Sequence, residues 1–334
     1  MMNNVVFVGC GAILGRHVEA VISNPEKYSI CGFYDIDQNL SQYFAKKYSG
    51  KNYMTFDEII KDSECNFISI LTPNSLHVEQ AEKAIIGLKS VLVEKPVSLK
   101  PKDSIHLGEL AEEKGVKAYC VLQVRLNHPV TILQNVLNQN LLGNIRGVSL
   151  VQRWQRPLNY FNGWRSIPEI GGGTLHECGI HYLDILQYLF GVPKIKSSSM
   201  YNTKHKNVEI EDMIYATMDY GDYGGAIEIT IAAEPMNLEC SISVLGSNGY
   251  VKLGGKSLNI IESAKFLSNG CQEKFKGIQD RYDIDISPNK YGSYEGSCPN
   301  HGELYRNIDK FEIKESYNVL GMIDEIYKKS DMEY

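Results

Sequence analysis

No part of this sequence approaches the run of about 18 apolar residues that a membrane-spanning helix needs. The apolar start, Val5–Leu14, is short and broken by Gly9 and Gly11. It has no basic leader and no small-residue cleavage site, so a signal peptide is not expected. Basic excess is also missing: 34 Lys and Arg stand against 40 Asp and Glu, a formal net charge of -6. That argues against a duplex nucleic-acid binder, which needs a basic face. It leaves room for an anionic small molecule, for which a few local Arg and Lys suffice. The eight cysteines are scattered without one CxxC pair. In a chain of this length they read as reduced thiols of a cytoplasmic protein. Repeats, low-complexity tracts and charge blocks are absent. What is present is ordinary globular text, 43% hydrophobic and 22% charged, in a 334-residue chain long enough to expect two domains.

The first third alternates. Val5–Val8, Tyr28–Tyr34, Asn66–Leu71, Ser90–Val93 and Lys117–Leu122 read as strands. Helical patterns follow the glycine turn to about Ser23 and then cover Gln38–Tyr48, Leu76–Ile86 and Pro101–Lys114. This spacing predicts βαβ units and a doubly wound parallel sheet with helices on both faces. After about Val121 the text changes. A helix is expected over Asn127–Gln139, a long strand over Ile145–Trp154, and a glycine turn then a helix over Gly171–Phe190. Strands with turn signals run from Lys194 to Ile260, and Glu315–Lys329 reads as a closing helix. The expected class is α/β. Residues 1–122 form a nucleotide-binding domain of the Rossmann type, and residues 123–334 form an α+β domain on a largely antiparallel, open-faced sheet.

The first strand runs into Gly9-Cys10-Gly11-Ala12-Ile13-Leu14-Gly15. Two glycines so spaced permit a tight turn and let backbone N–H groups approach a pyrophosphate at a helix N-terminus. A regular GxGxxG would place its third glycine at position 14; Leu14 stands there and Gly15 follows, as if the motif were shifted by one. Asp35 ends the second strand. An acid there accepts hydrogen bonds from an adenosine ribose 2′-OH and repels a 2′-phosphate, which favours NAD(H) over NADP(H). Asp37 is the better candidate to cap the next helix.

Val91-Leu92-Val93-Glu94-Lys95-Pro96 is a strand ending in an ion pair and a proline, at the end that faces the ligand crevice of a doubly wound sheet. With it stand His17, Thr72-Pro73-Asn74 with His77, Trp164-Arg165, and Gly171-Gly172-Gly173-Thr174-Leu175-His176-Glu177-Cys178-Gly179-Ile180-His181 with Asp184. In this order the motifs resemble the Gfo/Idh/MocA family of sugar and cyclitol oxidoreductases nearly end to end. The resemblance implies a nicotinamide enzyme that moves hydride to or from a sugar carbon bearing a hydroxyl. It implies a cofactor site of Gly9, Gly11, Ala12, Ile13, Leu14, Asp35, Thr72, Pro73, Asn74, His77, Glu94, Lys95 and Gln123. It also implies homo-oligomers, dimers or tetramers, often built through the open sheet. A narrower resemblance rests on Gln123-x-Arg125-Leu126-Asn127, Trp154-Gln155-Arg156-Pro157 with Tyr160, Val208-Glu209-Ile210-Glu211-Asp212, and Asn237-Leu238-Glu239 before Val244-Leu245-Gly246. These are similar to the UDP-N-acetylglucosaminuronate (UDP-GlcNAcA) 3-dehydrogenases, which act in making bacterial surface polysaccharides. His301 and Tyr305 resemble a late His-containing segment of that group.

Glu177 and His181 lie four apart on an expected helix and so share a face. A carboxylate beside an imidazole can orient it for acid–base work. Oxidising a secondary alcohol requires removing its O–H proton as hydride leaves. His181 is the expected proton acceptor, with Lys95 stabilising oxyanion charge; the two roles are interchangeable on sequence alone. The usual family residue at position 177 is Asp, one methylene shorter. Arg125, Arg156, Tyr160, Trp164 and Arg165, with Lys95, Glu177 and His181, are the candidate substrate contacts, since Arg binds diphosphate or carboxylate bidentately. No metal site is expected: in His176-Glu177-x-x-x-His181 the histidines lie about 140° apart around a helix. Gly254-Gly255-Lys256-Ser257 reads as a hairpin turn. The leading expectation is an NAD-dependent nucleotide-sugar 3-dehydrogenase. A cyclitol or free-sugar dehydrogenase and a catalytically silent NAD-binding regulator are the alternatives.

Overall fold

The structure is a computed structural model that describes residues 2–284, 290–291 and 294–330. The chain divides into two units, Met1–Gln123 with Pro299–Leu320 and Val124–Cys298 with Gly321–Tyr334. The expected boundary at 122/123 lies within one residue of the first crossing. Continuing the second domain to 334 needs correction, because the chain returns to the first unit over 299–320.

The first unit alternates β1 (Asn3–Val8), α1 (Leu14–Ile22), β2 (Tyr28–Tyr34), α2 (Gln38–Tyr48), β3 (Lys51–Asn52), α3 (Phe56–Lys61), β4 (Phe67–Ile70), α4 (His77–Ile86), β5 (Ser90–Val93), α5 (Pro101–Lys114) and β6 (Ala118–Cys120). The sheet is parallel throughout, in the order β3-β2-β1-β4-β5-β6. Val5–Val8, all of β4 and Val91–Val93 are buried, as strands covered on both faces must be. Asp37 caps α2, accepting from the N–H groups of Asn39 and Leu40. The returning segment seals the β6 edge: the Cys120 N–H donates to the Phe311 carbonyl at 2.9 Å, and Tyr119 bridges to Glu312. Covering an edge strand in this way removes its unpaired backbone groups from solvent.

The second unit holds α6 (His128–Asn138), β7 (Ile145–Arg153), α7 (Pro168–Gly171), α8 (Ile180–Phe190), β8 (Lys194–Tyr201), β9 (Met213–Asp219), β10 (Gly224–Thr230), β11 (Glu239–Gly246), β12 (Gly249–Gly254), β13 (Ile260–Phe266) and α9 (Asn269–Gln279). Its seven strands run β13-β12-β11-β7-β10-β9-β8, antiparallel except for the β7–β10 pair. Residues of β7 alternate between buried and half-buried from Val148 on, the signature of a sheet covered on one face. Helix α8 is buried from Ile180 to Gln187, and Tyr182 stands edge-on to Trp154, 5.5 Å between ring centres. Gly254-Gly255-Lys256-Ser257 is part of the β12–β13 connection, as read.

Leu14 sits where a regular motif has glycine, and its side chain is fully buried in the first turn of α1. Gly15 does not replace that glycine, since a Cβ on it would meet nothing. Leu14→Gly, which restores the regular motif, should therefore lower stability by at least about 3 kcal/mol through cavity and helix-propensity losses. Urea unfolding checks it, and NADH affinity should not improve.

Candidate cofactor and catalytic sites

In the first unit the strand order reverses between β1 and β4, and ligands of doubly wound sheets bind beyond the carboxyl ends of such strands. Gly9 lies there at φ +97°, and a Cβ on it would stand 2.9 Å from the carbonyl carbon and oxygen of Leu71. Only glycine lets the turn pass so close to the end of β4. Gly11 is exposed, with open space where a side chain would be. Ala12 is also exposed and Ile13 half-buried. Leu14 offers the crevice no side chain, and its N–H is turned to the Gly11 carbonyl at 3.2 Å.

Asp35 is half-buried at the end of β2. Its Oδ2 accepts from the Cys10 N–H at 2.7 Å and its Oδ1 from the Asp37 N–H at 2.9 Å. The acid is thereby locked against the glycine turn, where a ribose diol fits it. The close turn, the open space over Gly11 and the fixed acid suit an adenine dinucleotide.

Thr72 donates its hydroxyl to Gln80 at 2.7 Å, and Asn74 and Gln123 are buried. His77 is buried with Nδ1 2.8 Å from the Pro96 carbonyl and Nε2 2.8 Å from the Thr72 carbonyl. Glu94 is buried as well. Burial pushes its carboxyl up, but the hydrogen bond from His17 and the neighbouring His301 imidazole more than offset this and hold it well below the usual carboxylate range. So His77 and Glu94, expected at the cofactor, direct their side chains into the protein.

In the second unit five side chains form a column. The Arg156 guanidinium lies 4.6 Å over the Trp154 ring and 5.3 Å over Tyr160; Arg165 lies 4.9 Å over Tyr160 and 4.3 Å over Trp164. Both tryptophans of the chain are thus used to stack guanidinium groups. Glu177 Oε2 accepts from the Tyr160 hydroxyl and from Arg165 Nε, each at 3.1 Å. Burial, with the nearby Cys178 and Glu177, pushes the Tyr160 phenol well above its ordinary value, so it remains a donor.

The column is braced by residues that the sequence reading quoted only as marks of resemblance. Asn237 Oδ1 accepts from the Gln155 N–H at 2.9 Å and from Arg156 at 3.3 Å. Glu211 accepts from the Thr174 N–H at 2.8 Å and from the Tyr327 hydroxyl at 2.6 Å. A Cβ on Gly173, at φ +80°, would press on both the Glu211 carboxylate and the Tyr327 hydroxyl, which accounts for glycine there. Asp212 holds the loop of Thr203, Lys204 and His205 by their N–H groups, and His205 reaches the Arg156 carbonyl at 2.9 Å.

Arg125 is placed differently. Its Nε and Nη2 grip Asp184 at 2.7 Å each, in a buried bidentate pair, and its plane stacks 4.7 Å from Tyr188. Leu175–Gly179 is π-helical, and α8 carries the buried His181. Such local widenings recur at functional sites. His176 differs in environment from His181: its Nδ1 bonds the Gly172 carbonyl at 2.6 Å and its ring stacks 5.7 Å from Tyr327.

These features define an NAD(H)-dependent oxidoreductase with a dinucleotide-binding parallel sheet and a separate α/β unit. Models of an oxidoreductase family match the chain twice, as its NAD-binding Rossmann fold over residues 3–122 and as its C-terminal alpha/beta domain over residues 135–288. The chain belongs to the Gfo/Idh/MocA family. Among its relatives, glucose-6-phosphate 3-dehydrogenase of Bacillus subtilis is 28% identical over 72% of this chain and 69% of its own length. The NADP(+)-dependent scyllo-inositol 2-dehydrogenase IolW of the same organism is 28% identical over 51% of this chain, and the match spans only 49% of that relative. The WlbA dehydrogenase of Bordetella pertussis, solved with NADH and UDP-GlcNAcA, shares the fold with a TM-score of 0.85. It is 23% identical, with 98% of this chain and 95% of that one covered.

Two expectations follow. Burial holds His176 at about 4, against which the Gly172 hydrogen bond acts only weakly. The unfolded imidazole binds a proton from about pH 6.5 downward while the folded one stays neutral to about 4, so acid destabilises over that window. The slope reaches about 1.4 kcal/mol per pH unit. His176→Gln should flatten the stability–pH curve between pH 6.5 and 4, read by urea unfolding. Asp35→Ala should weaken NADH binding about tenfold and narrow the NADH-to-NADPH preference, read by NADH fluorescence titration.

Proposed function

We propose that this enzyme is an NAD-dependent dehydrogenase of a nucleotide-linked N-acetylamino sugar or its uronate, of the UDP-GlcNAc or UDP-GlcNAcA type, oxidising the 3-hydroxyl. The observation that carries the reading is the Arg156–Tyr160–Arg165 column between two tryptophans. A stacked pair of guanidiniums with aromatic faces suits a substrate that joins phosphate or carboxylate charge to rings. The WlbA complex and the glucose-6-phosphate relative, both acting on or binding charged sugars by name, support it.

When bound, NAD⁺ supplies the carbon that accepts hydride. The chain has to take the hydroxyl proton, steady the developing oxyanion and hold the sugar. We assign the proton and oxyanion tasks to Lys95 and His181, and sugar positioning to Arg156, Tyr160, Trp164, Arg165 and Glu177. The balance is one secondary alcohol and NAD⁺ to one ketone, NADH and a proton. By the same reading the enzyme works as a cytoplasmic homo-oligomer through the open face of its seven-stranded sheet. There Arg153 pairs with Glu228 and Glu239, and Lys252 with Glu239 and Glu262. Its place is in building sugars for surface polysaccharides. A cyclitol or free-sugar dehydrogenase is the second reading, favoured by the scyllo-inositol relative.

The test is NAD⁺ reduction with UDP-GlcNAcA, UDP-GlcNAc, glucose 6-phosphate and inositols, with and without 2-oxoglutarate as a hydride acceptor. Turnover of a UDP-sugar, with Lys95→Ala and His181→Ala each slower by about 10²–10⁴-fold, is expected. Preference for inositol selects the second reading. Full turnover by either folded variant removes that residue from the assignment.

A further inference from the structure

Three histidines, His17, His77 and His301, are buried around the segment Glu94-Lys95-Pro96 in the first unit, and none has a role in the chemistry above. The hydrogen bonds of two of them, His17 through Glu94 and His77 through the Pro96 carbonyl, reach the backbone before and after Lys95. On one side, Glu94 Oε2 accepts from the Lys95 backbone N–H at 3.0 Å. Its other oxygen, Oε1, stands 3.0 Å from His17 Nε2 and 3.6 Å from His301 Nε2. On the far side, the Pro96 carbonyl stands 2.8 Å from His77 Nδ1.

The protons on this network can be placed. His17 Nδ1 faces the hydroxyls of Tyr305 at 2.9 Å and Ser69 at 3.2 Å, and the Tyr305 hydroxyl lies 3.2 Å from Ser69. Burial lowers the His17 imidazole below its ordinary value, with the Glu94 hydrogen bond acting against it. A neutral His17 therefore accepts a hydroxyl proton at Nδ1 and carries its own on Nε2, which donates to Glu94. The opposite tautomer would set a lone pair against the carboxylate. His77 stands between two carbonyls, of Thr72 and Pro96, each at 2.8 Å from a ring nitrogen, and a ring nitrogen that carries a proton donates to its carbonyl.

We propose that His17, through Glu94, and His77, through Pro96, are positioning residues that fix the backbone on both sides of Lys95 and so aim its amine. Glu94 is the transmitting group, and Tyr305 with Ser69 sets the His17 tautomer. An ionised carboxylate is costly to bury, and apolar side chains of the same volume would stabilise the core as well. What the polar network adds is orientation, because each hydrogen bond fixes an angle that packing alone leaves loose. The same three side chains, His17, Glu94 and His301, bring ligand-type atoms within 4.8 Å of one another. The hydrogen-bond assignment accounts for the approach of His17 to Glu94.

The proposal rests on Lys95 acting in the reaction, and its test separates the two. The full chain is reductively methylated with ¹³C-formaldehyde, and the Lys95 dimethylamine signal is assigned by Lys95→Arg. In Tyr305→Phe, Glu94→Gln and His77→Gln, that signal should shift and broaden while other lysine signals stay, with NADH affinity within about threefold of the parent. Turnover should fall about tenfold in Tyr305→Phe and about a hundredfold in Glu94→Gln, in kcat more than in KM. His17→Gln, which keeps a donor near the Nε2 position, should recover part of what His17→Leu loses. Tyr305→Phe removes a single hydroxyl and keeps the test open if the Glu94 variant does not fold. An unmoved Lys95 signal in folded Tyr305→Phe and His77→Gln overturns the proposal. A moved signal with full turnover in Lys95→Arg upholds the positioning and defeats only the catalytic reading of Lys95.

Discussion

The first unit depends on one close approach. With a side chain at position 9 the turn after β1 would meet the Leu71 carbonyl at 2.9 Å, so the backbone passes there only as glycine. The Gly9 N–H bonds the Tyr34 carbonyl at 2.9 Å, and the next N–H, of Cys10, bonds Asp35. The turn is thus stitched to the ends of β2 and β4 together. That places the open edge of Gly11, the acid at the end of β2 and the N-terminus of α1 in one frame. A nucleotide meets these groups already arranged, and ordering them costs nothing at binding.

Buried charge recurs away from this turn, in forms that share a logic. Glu94 is held by histidines, Arg125 by Asp184, and Asp212 by three backbone N–H groups and His205. Losing one partner of such a set leaves a buried charge uncompensated, at a cost of about 3–5 kcal/mol. Each set ties together segments distant in the chain. The Asp212 loop leads through His205 to the Arg156 carbonyl, and Glu211 next to it holds the turn before the π-helical stretch. Arg156 and the histidine-bearing helix are consequently braced by neighbouring residues of one short segment.

Much of the first unit was legible because strand, turn and helix text there follows strict periods. Tyr28–Tyr34, Gln38–Tyr48, Ser90–Val93 and Pro101–Lys114 form over the residues that periodicity assigns. The pieces that escaped, Lys51–Asn52 and Phe56–Lys61, are too short to show a period, and only Ile59 of the second is buried. The return of residues 299–320 escaped because membership of a unit is set by distant packing, such as Tyr28 on the Tyr305 carbonyl, which leaves no local mark. At the sites, residue types were readable and partners were not. Arg125 looked like an anion contact, and nothing near it in the chain announces Asp184. Asn237 and Glu211 looked like marks of a group, and only the fold shows them bracing Arg156 and Thr174.

Glu177 shows how one methylene redirects a group. The expected role was to orient His181 along a helix. The longer side chain brings its carboxylate to the Tyr160 hydroxyl and the Arg165 guanidinium. There it accepts from a cation and from a phenol at once. Held at 3.1 Å from Arg165 Nε, it sets the angle of that guanidinium within the column. A shorter Asp at this position would fall about 1.5 Å short of those donors. The added methylene therefore ties this position into the guanidinium–aromatic column of Arg156, Tyr160 and Arg165.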